Sequence, residues 1–233
     1  MRSFFRHLLY TIPMNRAKQT SESIELAIFL AMSGGLMDAY SYLLRDQVFA
    51  NAQTGNILLF GVYASSGQWD HCLHYAFPIL FFCIGIALCE IIHLHKIHFM
   101  HWRQFTLLIE IGLLAIVSMI PLSYNLLANS LTSLACGIQV QAFRKLHGNS
   151  FATTMCIGNI RSGTHHLIHF FYEKDRQSLE RALLYYFVII CFVVGAIIGN
   201  LCLPFLQTKT ILVSCGLLLI ALLIMCIDRE NKK

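Results

Sequence analysis

Long apolar runs alternate with short polar interruptions along most of this chain. Six of them, residues 24–44, 75–93, 105–122, 126–143, 182–203 and 211–227, are close to membrane-spanning length. A bilayer core of about 30 Å takes about 20 residues of α-helix to cross. The pattern therefore predicts six transmembrane helices. Two further segments, 48–65 and 151–171, are apolar but interrupted, and each holds a Gly-Asn pair.

The pattern occurs twice. Gly34, Ala39, Gly55 and Asn56 recur as Gly137, Ala142, Gly158 and Asn159 at one constant interval, which Ile57 and Ile160 also keep. Leu73, Tyr75, Phe77, Ile79, Phe82 and Gly85 return as Leu183, Tyr185, Phe187, Ile189, Phe192 and Gly195. A third block sets Leu108, Gly112, Leu113 and Leu114 against Leu212, Gly216, Leu217 and Leu218. Internal duplication in an apolar chain marks transporter-like and channel-like membrane folds.

Whether the two Gly-Asn segments cross the membrane is decided by charge, because Lys and Arg gather in short cytoplasmic loops. With six spans and a cytoplasmic N-terminus, only Arg45 and Lys209 fall outside. With eight spans, Lys96, Arg103, Arg144 and Lys145 also move outside, and Arg161 is forced into lipid. Six spans give three per repeat, and an odd number places the copies in opposite orientations. The expected fold is an all-α polytopic membrane protein of about six helices in two inverted three-helix repeats. Each repeat carries a broken or re-entrant Gly-Asn segment, tolerated at membrane depth only where it is buried in protein or lines a wet cavity. The domain reading is a cytoplasmic arm at 1–23, one membrane domain at 24–228 (repeats 24–122 and 126–228) and a cytoplasmic tail at 229–233.

Composition agrees with a membrane protein. The 233 residues are 57% hydrophobic and 12% charged, against about 25% charged in ordinary soluble domains. The N-terminal stretch has a short apolar patch without a small-residue cleavage site, which argues for an interfacial arm over a cleaved signal peptide. Seven of the nine cysteines lie inside apolar runs, and no C-x-x-C pair occurs. They are expected as small hydrophobes, not as zinc ligands or a redox couple. The formal charge of +5 sits in loops, with no basic stripe interleaved with aromatics to suggest nucleic acid.

These residues resemble the YoaK family, small bacterial inner-membrane proteins that share a domain of unknown function. The resemblance is carried by Gly35-Leu-Met-Asp38-Ala39 and by Val48-Phe-Ala-Asn-Ala-Gln-Thr54-Gly55-Asn56. Gly137-Ile-Gln139-Val-Gln-Ala142, and Thr153-Thr154 before Gly158-Asn159, add to it. It covers roughly residues 28–227. The second copy reads Ile157-Gly158-Asn159, so the hydroxyl of Thr54 has no counterpart there. The resemblance implies a bacterial inner-membrane protein of about six helices, and no activity.

Polar residues standing where lipid should be form the expected solute-binding set: Asp38, Asn51, Thr54, Asn56, Gln139, Gln141 and Asn159. Asp38 lies 14 residues into the first span, roughly 21 Å along the axis. An ionisable residue at that depth is by default a functional-site hypothesis. It suits a proton- or cation-binding carboxylate, or alternatively a hydrogen bond holding the Gly-Asn segment. Asn56 and Asn159 could offer donors to a solute at a half-helix start, or cap the helix that follows. Glu90 and Glu110, near the cytoplasmic ends of consecutive spans, could face each other or pair with Arg103 or Lys96, and interfacial ion pairs are the expectation. His165 and His169 are one helical turn apart, and His93, His95, His98 and His101 share a loop. No Cys or carboxylate is read at ligand spacing beside them, so no metal, cofactor or catalytic residue is expected.

The leading functional expectation is a transporter or channel-like protein for a small polar or charged solute. A membrane-embedded enzyme acting on a lipid-like substrate is the alternative, though neither a Ser/His/Asp constellation nor H-E-x-x-H is present. A non-catalytic membrane assembly subunit is the third. The lipid bilayer is the expected partner, and a homodimer is compatible with the chain length.

Overall fold

The computed structural model describes residues 24–95, 101–146, 149–150 and 156–226. The expected arm at 1–23, the tail at 229–233, Lys96, His98 and Thr153-Thr154 lie outside the described residues. Among the described residues, eight α-helices follow in order: α1 (Ile24–Leu44), α2 (Gln53–Ser65), α3 (Trp69–Leu94), α4 (Trp102–Val117), α5 (Asn125–Ala142), α6 (Cys156–Glu173), α7 (Arg176–Leu206) and α8 (Ile211–Cys226). Short 3-10 turns, Leu122–Tyr124 and Gln207–Thr210, lead into α5 and α8. The only strand pairing among the described residues is a two-residue antiparallel one, of Lys145 with Ser150 and Leu146 with Asn149.

Among the described residues, three helical stretches are long and apolar enough to cross a membrane: Ile24–Leu44, Trp69–Leu94 and Arg176–Cys226. α3 and α7 begin six residues ahead of their apolar runs, at Trp69 and Arg176. Backbone helix continues past the end of the apolar stripe because its hydrogen bonds do not depend on side-chain polarity. α4 stops at Val117, five residues before its run ends, where Pro121 and the following 3-10 turn redirect the chain.

Packing interleaves the two halves. α1 runs along α7 and α5 along α3; α1 also meets α8, as α5 meets α4. α2 and α6 lie on α3 and α7, the helices that follow them. Close approach at the two principal crossings depends on glycine. A Cβ at Gly35 would strike the carbonyl of Phe192, and one at Gly195 the carbonyl of Met32. On the other side, Gly85 faces the carbonyl of Leu134 and Gly137 that of Phe82. Small residues that let helix backbones touch are the usual means of association where lipid removes the hydrophobic drive.

α1 is the central helix, with Leu30, Ala31, Leu36, Met37 and Tyr40 wholly buried. α3 and α7 instead turn apolar stripes outward, among them Leu73, Leu80, Ile84 and Ile91, and Leu183, Ile190, Ile197 and Leu201. A helix apolar on both its packed and its open face suits lipid as solvent.

Candidate functional site

Between α1 and α2 the chain is not helical from Arg45 to Ala52, yet Val48, Ala50 and Asn51 are buried. Backbone groups buried without partners are costly, and the deficit must be met by side chains. Here nearly every partner is a residue of the polar set or its neighbour. Asn51 N–H donates to Asp38 Oδ1 at 2.7 Å, and the amides of Ala50 and Ala52 also turn towards that carboxylate. Asn56 makes a two-point contact with one residue. Its Oδ1 accepts from Phe49 N–H at 3.0 Å, and its Nδ2 donates to Phe49 O at 2.7 Å. Asn56 Nδ2 also reaches Gln53 Oε1 at 2.9 Å, and Gln53 Nε2 donates to Ala50 O at 2.8 Å. Asn51 Nδ2 closes the ring on Gly34 O at 3.2 Å.

Asn56 therefore does not cap α2. The N-cap position is Ala52, with no side-chain cap, and Asp38 supplies from α1 the anion that the helix start attracts. Asn56 sits one turn further in and folds back onto the extended segment. Gly55 is small because a Cβ there would come within 2.7 Å of the Phe49 ring, which stacks on Tyr42 at 4.8 Å.

The predicted set does not form one cluster. Asp38, Asn51 and Asn56 come together around residues 49–52. Gln139 is fully buried on α5 and donates to Leu30 O at 2.9 Å, about 12 Å below Asp38 along α1. Gln141, the repeat counterpart of Asp38, has a different role: it donates to Glu90 Oε2, whose Oε1 lies 3.8 Å from His93 Nδ1. Thr54 is exposed on the first turn of α2, while Asn159 is buried in the first turn of α6. The first residue of α6, Cys156, lies within the field of the Asp38 carboxylate.

Two expectations about charge are corrected. Glu110 is not interfacial: it is fully buried, and neither carboxylate oxygen has a hydrogen-bond partner among the described residues. It occupies the inward face of α4 together with Leu107, Leu114 and Val117, a placement set by helical phase and not by distance from the span end. His169 does have a carboxylate at ligand spacing, since Nδ1 lies 3.1 Å from Glu173 Oε1 one turn on. The ring of His169 is 4.4 Å from that of His165.

Arg45, read from sequence as a loop charge, is wholly buried. It donates to Tyr40 OH at 3.0 Å, to the carbonyls of Pro121 at 3.0 Å and Ile120 at 2.7 Å, and to Asn125 Oδ1 at 3.0 Å. Its own carbonyl accepts from Asn129 Nδ2 at 2.6 Å. The sequence signal available was Asn125, Asn129 and Ser133, a polar i, i+4 row opening an apolar helix.

The helices and this polar seam describe an all-helical protein of membrane character. A family model described as "Protein of unknown function (DUF1275)" matches residues 26–224, and the chain belongs to that family. The resemblance to the YoaK family is consistent with it. No curated protein and no solved structure matches the chain.

Proposed function

We propose that this protein is a transporter or channel-like protein for a small polar or charged solute, in the bacterial inner membrane with both termini cytoplasmic. Six helices cross the bilayer, and α2 and α6 are half-helices entering from opposite sides. The two repeats, 24–122 and 126–228, form one membrane domain. One observation carries the reading: a carboxylate, Asp38, is buried in an apolar bundle against the start of α2, with the start of α6 within its field. Half-helix ends that meet beside a broken backbone are the usual solute and ion sites of inverted-repeat transporters.

In this reading the bonds from residues 50–52 to Asp38 are exchangeable. A solute or ion reaching Asp38 competes with the amides for it, and their release loosens the α2 start. Purified protein in liposomes, screened against panels of small ions and polar solutes, should show a flux that Asp38→Asn abolishes. Flux equal in wild type and variant would remove Asp38 from the path. No flux for any solute class would leave the reading without support.

A further inference from the structure

Glu110 is not needed to explain the polar seam, and no described residue donates a hydrogen bond to its carboxylate. It is fully buried at a core position of α4, flanked on the same face by Leu107 and Leu114, each with no exposure. Neither oxygen has a hydrogen-bond partner among the described residues. Each of the three helices packed against α4 carries a buried cysteine. Cys89 of α3, Cys136 of α5 and Cys215 of α8 all lie within the field of its carboxylate. Cys215 is anchored beside it, with Sγ 3.7 Å from Ile111 O. Arg103 and Arg144 are the cations near Cys89, which also feels Glu90. Cys136 lies within the fields of both Glu110 and Asp38.

An unpaired carboxylate in such surroundings is strongly disfavoured, which leaves two chemical ways to neutralise it: a cation or a proton. A hard cation requires several oxygen ligands, and the neighbours here are sulfur. Among the described residues no group of three or more His, Cys, Asp or Glu side chains could hold a metal ion.

We propose that Glu110 is a proton-binding site of this protein, a carboxyl that takes up and releases one proton within the bundle core. The chemistry is carboxylate plus proton giving carboxylic acid. The proton comes from bulk water and returns to it, and nothing is oxidised or reduced. The neutral acid carries its own O–H donor.

The test is infrared difference spectroscopy of the full chain in lipid nanodiscs between acid and alkaline pH. Wild type should show a carboxylic-acid C=O band that disappears as pH rises, that Glu110→Gln removes, and that Glu110→Asp retains at a shifted frequency. Identical difference spectra for wild type and Glu110→Gln would overturn the proposal. So would an acid band from Glu110 that persists unchanged at every pH, since that describes a permanently neutral packing group. Where Glu110→Gln does not fold, the Asp variant decides by whether its band moves. The titration needs no transported solute, so an absence of flux would count against the transporter reading and leave this one standing.

Discussion

Asn51 N–H donates to Asp38 Oδ1 at 2.7 Å, tying the segment before α2 to the middle of α1. One carboxylate thereby serves the start of a helix that lacks a side-chain cap of its own. Its acceptor oxygens matter to folding separately from its charge. Asp38→Ala should strand the Asn51 amide and cost about 2 kcal/mol, the usual penalty for a buried unsatisfied group. Asp38→Asn keeps one acceptor and should cost about half as much. Thermal unfolding in mild detergent would rank the two variants, and equal losses would mean that the amide finds another partner.

Glycine at the two main crossings is required by space. Gly195→Ala would drive a methyl into the Met32 carbonyl, and Gly137→Ala into that of Phe82. Each should destabilise the protein by about 2 kcal/mol or more, the range of overpacking in a close-fitted core. Gly112→Ala and Gly216→Ala meet nothing within 4 Å and should leave the melting temperature nearly unchanged. A uniform response across all four would show that backbone contact is not what these positions provide.

Arg45 gathers the end of α4 and the start of α5 onto the end of α1. Lysine cannot reproduce a planar set of donors directed at Tyr40, Ile120, Pro121 and Asn125 at once. Arg45→Lys should therefore expose buried carbonyls and lose about 3 kcal/mol. Its effect and that of Asn125→Ala should not add, because the side chains share a hydrogen bond. A double-mutant cycle measures this, and strict additivity would contradict the observed contact.

Membrane topology is open to a direct check. Reporter fusions after Gln68, Ile97, Ser123 and His147 should read outside, inside, outside and inside. That pattern follows from six spans with α2 and α6 entering from opposite faces. The reverse pattern would mean eight spans and parallel repeats, and would remove the basis for a shared site near Asp38.

Much of the helical layout was legible from local pattern. The apolar runs predicted α1 and α5 to within a residue or two, and the repeated Gly85 and Gly195 both mark helix crossings. The alignment was less good at their partners: it matched Gly34 with Gly137, whereas Gly35 makes the corresponding contact and Gly34 O accepts from Asn51. A shift of one residue turns a helix by about 100°, more than a sequence match resolves where glycines are adjacent.

By itself the sequence determined that the chain is apolar and helical, because these follow from residue type and spacing along one segment. It also marked Asp38, Asn51 and Asn56 as out of place in lipid. Only the tertiary structure decided what they bond to, since Phe49, Gly34 and the amides of residues 50–52 reach them through the fold and not through periodicity. The same holds for Glu110 and Arg45. Their charges were plain in the sequence, but burial and partners depend on which neighbouring helices close around them, and hydrogen bonds form only within about 3 Å.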